Sequence, residues 1–107
     1  MGGELDSGAV LGTVRELCDA PLASLVDVER VLTDGYACVL QTEDERRRLR
    51  SRLQKEAVTV SPKGSPGEVV EIKALAQGIA RADSEIEELR AALEMLAARA
   101  STLRATA

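Results

Sequence analysis

Between Ile72 and Leu103, every position reached by alternating steps of three and four residues is apolar. The series is Ile72, Leu75, Ile79, Ala82, Ile86, Leu89, Leu93, Leu96, Ala100 and Leu103. A stripe repeating every 3.5 residues is the edge that one helix presents to another in a coiled coil. Left uncovered, it would expose an apolar line to water, so the rest of the chain has to supply a partner for it.

That partner is predicted upstream. Stepping from Leu25 in the same way gives Leu25, Val28, Leu32, Gly35, Val39, Thr42, Arg46, Leu49, Leu53 and Glu56. Thr42 and Arg46 interrupt this second stripe. Its first half is wider, because Leu22, Val26, Val31, Tyr36 and Leu40 add apolar surface beside it. A stripe that broad calls for more than one neighbouring helix. Between the two stripes, Ser61-Pro62-Lys63-Gly64-Ser65-Pro66-Gly67 stops any helix. Proline removes a donor and clashes with the preceding turn, and glycine adds freedom. Residues 58–67 are therefore expected to form the turn of an αα-hairpin, with Val58-Thr59-Val60 as an extended lead into it.

Folding the chain there, with Glu56 opposite Ile72, keeps both stripes in phase. Leu53 then faces Leu75, Leu49 faces Ile79 and Leu32 faces Leu96. Large Arg46 falls opposite small Ala82, and Gly35 falls opposite Leu93, the large-against-small pairing that close packing requires.

Residues 1–7 are rich in glycine and acid and are expected to be disordered. A short helix over 8–18, capped by Ser7, would carry Val10, Leu11, Val14, Leu17 and Cys18 on one face, although Gly8 and Gly12 weaken it. A long helix over 20–57 would follow, with Asp19 as its cap and Pro21 in its first turn. Ser24 offers a second cap. The last helix is expected over 67–104, and 8–107 reads as a single helical domain.

The chain has 107 residues with no Phe, no Trp and Tyr36 as its lone aromatic. Its core must be built from Leu, Val, Ile and Ala, and a small all-aliphatic core leaves a thin margin that self-association commonly widens. The expected architecture is all-α. It is a long antiparallel helical hairpin, coiled-coil-like, with a short N-terminal helix whose Leu11, Val14 and Leu17 cover Val26, Val31, Tyr36 and Leu40. Two copies are predicted to form a homodimer with a four-helix bundle in that region.

The chemistry points away from catalysis. With no histidine, the commonest general base and transition-metal ligand are missing. Cys18 and Cys38 match no metal or redox spacing and read as small apolar residues of a helix interior, the alternative being a disulfide between them or across a dimer. No glycine-rich phosphate loop is present. The carboxylates at Glu43, Asp44, Glu45, Asp83, Glu85, Glu87 and Glu88 lack the inward Glu-x-x-His pairs of a di-metal bundle. No enzymatic activity, metal or cofactor is expected.

The net charge of −4 argues against a general nucleic-acid binder. The one dense basic cluster, Arg46 to Lys55, follows Glu43-Asp44-Glu45, which can pair with it at i+3 and i+4. No apolar run is long enough for a membrane span. The acidic opening residues are not those of a signal peptide, so a cytoplasmic location is expected.

The function predicted from the residues is non-catalytic. An adaptor, scaffold or small chaperone would bind another protein through an apolar helix face. Val26, Tyr36 and Leu40 are the candidate partner-binding residues, with a further surface around Ala91, Ala92, Ala97 and Ala98. Tyr36 reads as an interface anchor with its hydroxyl at the rim. The alternative is a regulatory domain contacting nucleic acid or another anionic partner, through Arg47, Arg48 and Arg52 of the basic cluster.

Overall fold

The structure, a computed structural model, describes residues 6–59 and 66–106. The described residues form three helices and no strand: α1 (Ser7–Asp19), α2 (Leu25–Thr59) and α3 (Pro66–Thr106). The chain is all-α.

α1 begins one residue earlier than expected. Asp6, not Ser7, is its cap, in extended conformation with its carboxylate accepting from the Gly8 amide at 3.1 Å. A charged acceptor at the positive end of the helix dipole is at least as good a cap as a serine hydroxyl. The expected disorder over 1–7 falls outside the described residues at positions 1–5, and Ser7 is already helical.

The largest boundary correction concerns α2, which starts at Leu25 rather than at residue 20. Asp19 closes α1 instead of opening the next helix. Ala20 is extended, at φ −72° and ψ 117°, because the ring of Pro21 disfavours helical geometry in the residue before it. Ser24 then caps α2, its hydroxyl accepting from the Asp27 amide at 3.2 Å. Pro21 lies in the connector, not in a first helical turn.

At the other end α2 runs on through Val58 and Thr59, which are helical rather than an extended lead. α3 opens on Pro66. The remaining turn positions, 60–65, lie outside the described residues.

α2 and α3 lie side by side with opposed directions. Glu29 pairs with Arg104 at 3.2 Å, Glu43 with Arg90, Arg46 with Asp83 at 2.8 Å, and Arg52 with Glu71 at 3.1 Å. The Leu93 side chain fills the space over Gly35, and Leu49 lies over Gly78.

α1 is antiparallel to α2 and lies along one half of this pair only. Its start lies near Glu85 and Asp44, and its end near Ala92 and Arg99. The result is a three-helix half, whose core is Val14, Val28, Cys38, Val39, Ile86, Leu89, Leu93, Leu96 and Ala100. In the other half two helices have only each other. There Leu49, Leu53, Ile72 and Ile79 are half-buried, because a helix pair can cover just one stripe of each member. The molecule measures 65 × 28 × 16 Å, with a radius of gyration of 18.6 Å. A compact chain of this length would be near 13 Å.

One placement corrects the expected packing. α1 covers the side of α2 that bears Val28, Val31 and Cys38, not the side that bears Val26, Tyr36 and Leu40. At 100° per residue the two sets lie on opposite flanks of the helix. Cys38 and Val31 sit beside the α3-facing stripe, so a third helix there touches both α2 and α3. A helix laid over Val26 and Leu40 would touch α2 alone.

Candidate functional site

Two apolar surfaces are left open by this arrangement, and they are built differently. The first is the bare flank of α2. Val26, Tyr36 and Leu40 are 66%, 50% and 67% exposed, and Leu22 in the connector is 95% exposed. Thr33 belongs to the same line, and its hydroxyl donates to the Glu29 carbonyl within its own helix. No element of the chain covers this flank among the described residues.

The second is a groove of about 510 Å³ between the end of α1 and the middle of α3. Cys18, Ala91, Ala92 and Met95 form its apolar lining, and Met95 is 65% exposed. Asp19, Glu87 and Glu88 supply acidic groups around it, and the cation there, Arg15, lies 3.6 Å from Glu88. The small side chains at 91 and 92 open the groove, because two alanines stand where longer residues would fill the gap between helices. Ala97 is half-buried and Ala98 exposed further along α3.

Arg99 ties the end of α1 to α3. Its Nη1 donates to the Cys18 carbonyl at 2.8 Å, at the negative end of α1. The Nε of the same guanidinium is buried and has no partner. Nothing in the apolar periodicity pointed to Arg99; a charged residue beside the α3 stripe, in a helix expected to meet another helix end, was the available signal.

Neither cysteine is poised for chemistry. Burial pushes the Cys18 thiol above its ordinary value, and Asp19 adds to that while Arg99 opposes it. Burial likewise raises the Cys38 thiol, against a hydrogen bond with Thr42 and with help from Glu85 and Asp6. Both stay protonated at neutral pH, and the thiolate is the nucleophilic and metal-binding form. Among the described residues no group of three His, Cys, Asp or Glu side chains is placed to hold a metal ion.

The basic cluster is laced to acidic neighbours. Asp44 accepts from Arg47 at 2.9 Å and from Arg48 at 2.6 Å. Asp83 takes Arg46 at 2.8 Å and lies 3.6 Å from Arg50, and Glu71 takes Arg52 at 3.1 Å. Exposed pairs like these contribute about 0–1 kcal/mol each, and they offset part of the field a polyanion would feel. The structure therefore separates the candidate residues. Val26, Tyr36 and Leu40 come together on one bare flank, while Arg47, Arg48 and Arg52 are each held by a carboxylate.

No helix among the described residues is long and apolar enough to cross a membrane. Compared with known proteins, the chain matches no family model, no curated protein and no solved structure.

Proposed function

We propose that this chain is a non-catalytic helical interaction module. In this reading α2 and α3 make an antiparallel, coiled-coil-like hairpin that associates with a second copy. α1 converts the broad end of the hairpin into a receptor for another protein. The partner is an amphipathic helix with an apolar side and a cationic edge. Its apolar side lies on Met95, Ala91 and Ala92, and its Lys or Arg residues face Asp19, Glu87 and Glu88. The carrying observation is the groove itself, where an exposed methionine and two alanines are bordered by carboxylates. Methionine adapts to varied apolar shapes, and acidic borders steer and orient a basic helix. A cytoplasmic location is part of this reading, and there Cys18 and Cys38 would remain reduced.

The alternative, an anionic partner held by Arg47, Arg48 and Arg52, is weaker, because those guanidinium groups are already engaged.

Fluorescence anisotropy tests the reading with a labelled Leu/Lys amphipathic helical peptide and a scrambled isomer of the same composition. The amphipathic peptide should bind and the isomer should not. Met95→Glu should weaken binding at least about tenfold, the effect of placing a charge on the apolar floor of an interface. Equal binding of both peptides, or wild-type affinity in Met95→Glu, would refute it.

A further inference from the structure

α1 is held to the other two helices by few contacts, and its own sequence weakens it further. Of its thirteen residues only Val14 is fully buried, while Val10, Leu11, Leu17 and Cys18 rest half-buried on the core. Gly12 stands in its interior, where glycine lowers the helix equilibrium roughly fivefold against alanine. Packing does not demand it: a Cβ at Gly12 would meet nothing within 4 Å, and one at Gly8 would meet only the Asp6 carboxylate at an ordinary 3.5 Å. Glu16 and Asp19 place carboxylates in the last turn, at the negative end of the helix dipole. The Arg99 guanidinium that ties this end down leaves its own Nε buried without a partner, so the tie carries the cost of an unmet donor. Arg15 and Glu88, 3.6 Å apart, are both more than half exposed and add little.

We propose that α1 is a latch. It swings away from a still-paired α2 and α3 through the connector at residues 20–24, and a helix seated in the groove holds it shut. The connector allows this, because Leu22, its largest side chain, is almost wholly exposed and holds no place in the core. The register of α2 and α3 is set without α1: Glu29–Arg104, Glu43–Arg90 and Arg52–Glu71 join them from one end to the other. Once undocked, a thirteen-residue helix is too short to persist in water, so α1 unwinds as it opens. The groove goes with it, since Arg15, Cys18 and Asp19 belong to α1 and the remaining lining to α3. A ligand that needs both walls binds the closed form alone and shifts the equilibrium toward it. The holding by a ligand rests on the receptor reading above; the opening itself does not.

Hydrogen exchange on the wild-type chain, joined to thiol labelling of Cys38 in Cys18→Ser, tests both parts. Cys38 is fully buried on the side of α2 that α1 covers, so it reports the opening from beneath. Amides of residues 7–19 should share one opening and be on the order of tenfold or more less protected than those of Leu89 and Leu93. Cys38 should react at a rate set by the same opening. Gly12→Ala should raise the protection of α1 and slow Cys38 labelling by up to roughly fivefold. With the amphipathic Leu/Lys peptide at about ten times its dissociation constant, Cys38 labelling should slow roughly tenfold, and with the scrambled isomer it should not change. Equal protection of residues 7–19 and of Leu89 and Leu93, or Cys38 labelling only as fast as the whole chain unfolds, would overturn the latch. A peptide that binds yet leaves Cys38 labelling at its free rate would overturn the coupling. A peptide that fails to bind sinks the receptor reading, while the latch still stands or falls on exchange in the absence of peptide.

Discussion

Leu93→Ala should lower the unfolding free energy by about 3–5 kcal/mol and reverse the sign of a second substitution at Gly35. Leu93 is fully buried at the centre of the three-helix half, and its methyl groups occupy the space where a Cβ on Gly35 would sit. Truncating it removes those contacts and leaves a cavity that helices on three sides cannot collapse into. For a chain whose total stability is of order 5–15 kcal/mol, that loss is a large fraction.

Gly35→Ala alone should also destabilise. Alanine gains about 1 kcal/mol over glycine in a helix, but forcing a methyl into an occupied core site costs about 1–3 kcal/mol. In the Leu93→Ala background the space is free, and Gly35→Ala should stabilise. Gly12→Ala, with nothing near its Cβ position, should stabilise by up to about 1 kcal/mol in either background. Urea unfolding followed by circular dichroism gives all of these values. A Gly35→Ala that stabilises the wild-type chain would mean that α2 and α3 do not meet at this register.

The second large effect is expected from Val14→Asp. Val14 is the one fully buried residue of α1 and lies in the same core as Val28, Leu93 and Leu96. An unpaired carboxylate there costs about 3–5 kcal/mol, more than the docking of a thirteen-residue helix can absorb. α1 should come away from the other two helices despite the Arg99 bond to its last turn. Hydrogen exchange should then show residues 7–19 losing protection, with amides around Leu49 and Leu75 changing far less. If α1 in Val14→Asp exchanged as slowly as in the wild-type chain, the core would not be organised around that residue.

Much of the buried surface was legible in the residues. Leu75, Ala82, Ile86, Leu89, Leu93, Leu96 and Ala100 of the first stripe are all buried, as are Val28, Gly35, Val39 and Thr42 of the second. Helical periodicity reports burial directly, because an apolar line at 3.5-residue spacing has only one economical use.

The start of α2 was not legible in the same way. Asp19 and Ser24 are both competent caps, and the choice between them was made by Pro21 acting backwards on Ala20. Nor was the flank taken by α1. Val26, Val31, Tyr36 and Leu40 are all apolar, and composition alone does not say which of them a third helix will cover. That depended on Val31 and Cys38 lying next to the cleft between α2 and α3, a three-body condition that no single-helix pattern contains. The groove at Ala91 and Met95 was half visible. Its alanines stood out, but its acidic border came from α1 as well as α3, and Arg99 emerged only with the third helix in place.

The uneven thickness of the molecule has a mechanical consequence. Three helices lock one end, whereas beyond Arg46 and Asp83 each turn of α2 is held by a single seam of half-covered aliphatic residues and surface ion pairs. Resistance to opening should therefore fall along the length, so that tension applied near Val58 and Val69 peels the slender arm apart while the thick end keeps its shape. Such a chain keeps its form at one end and yields at the other.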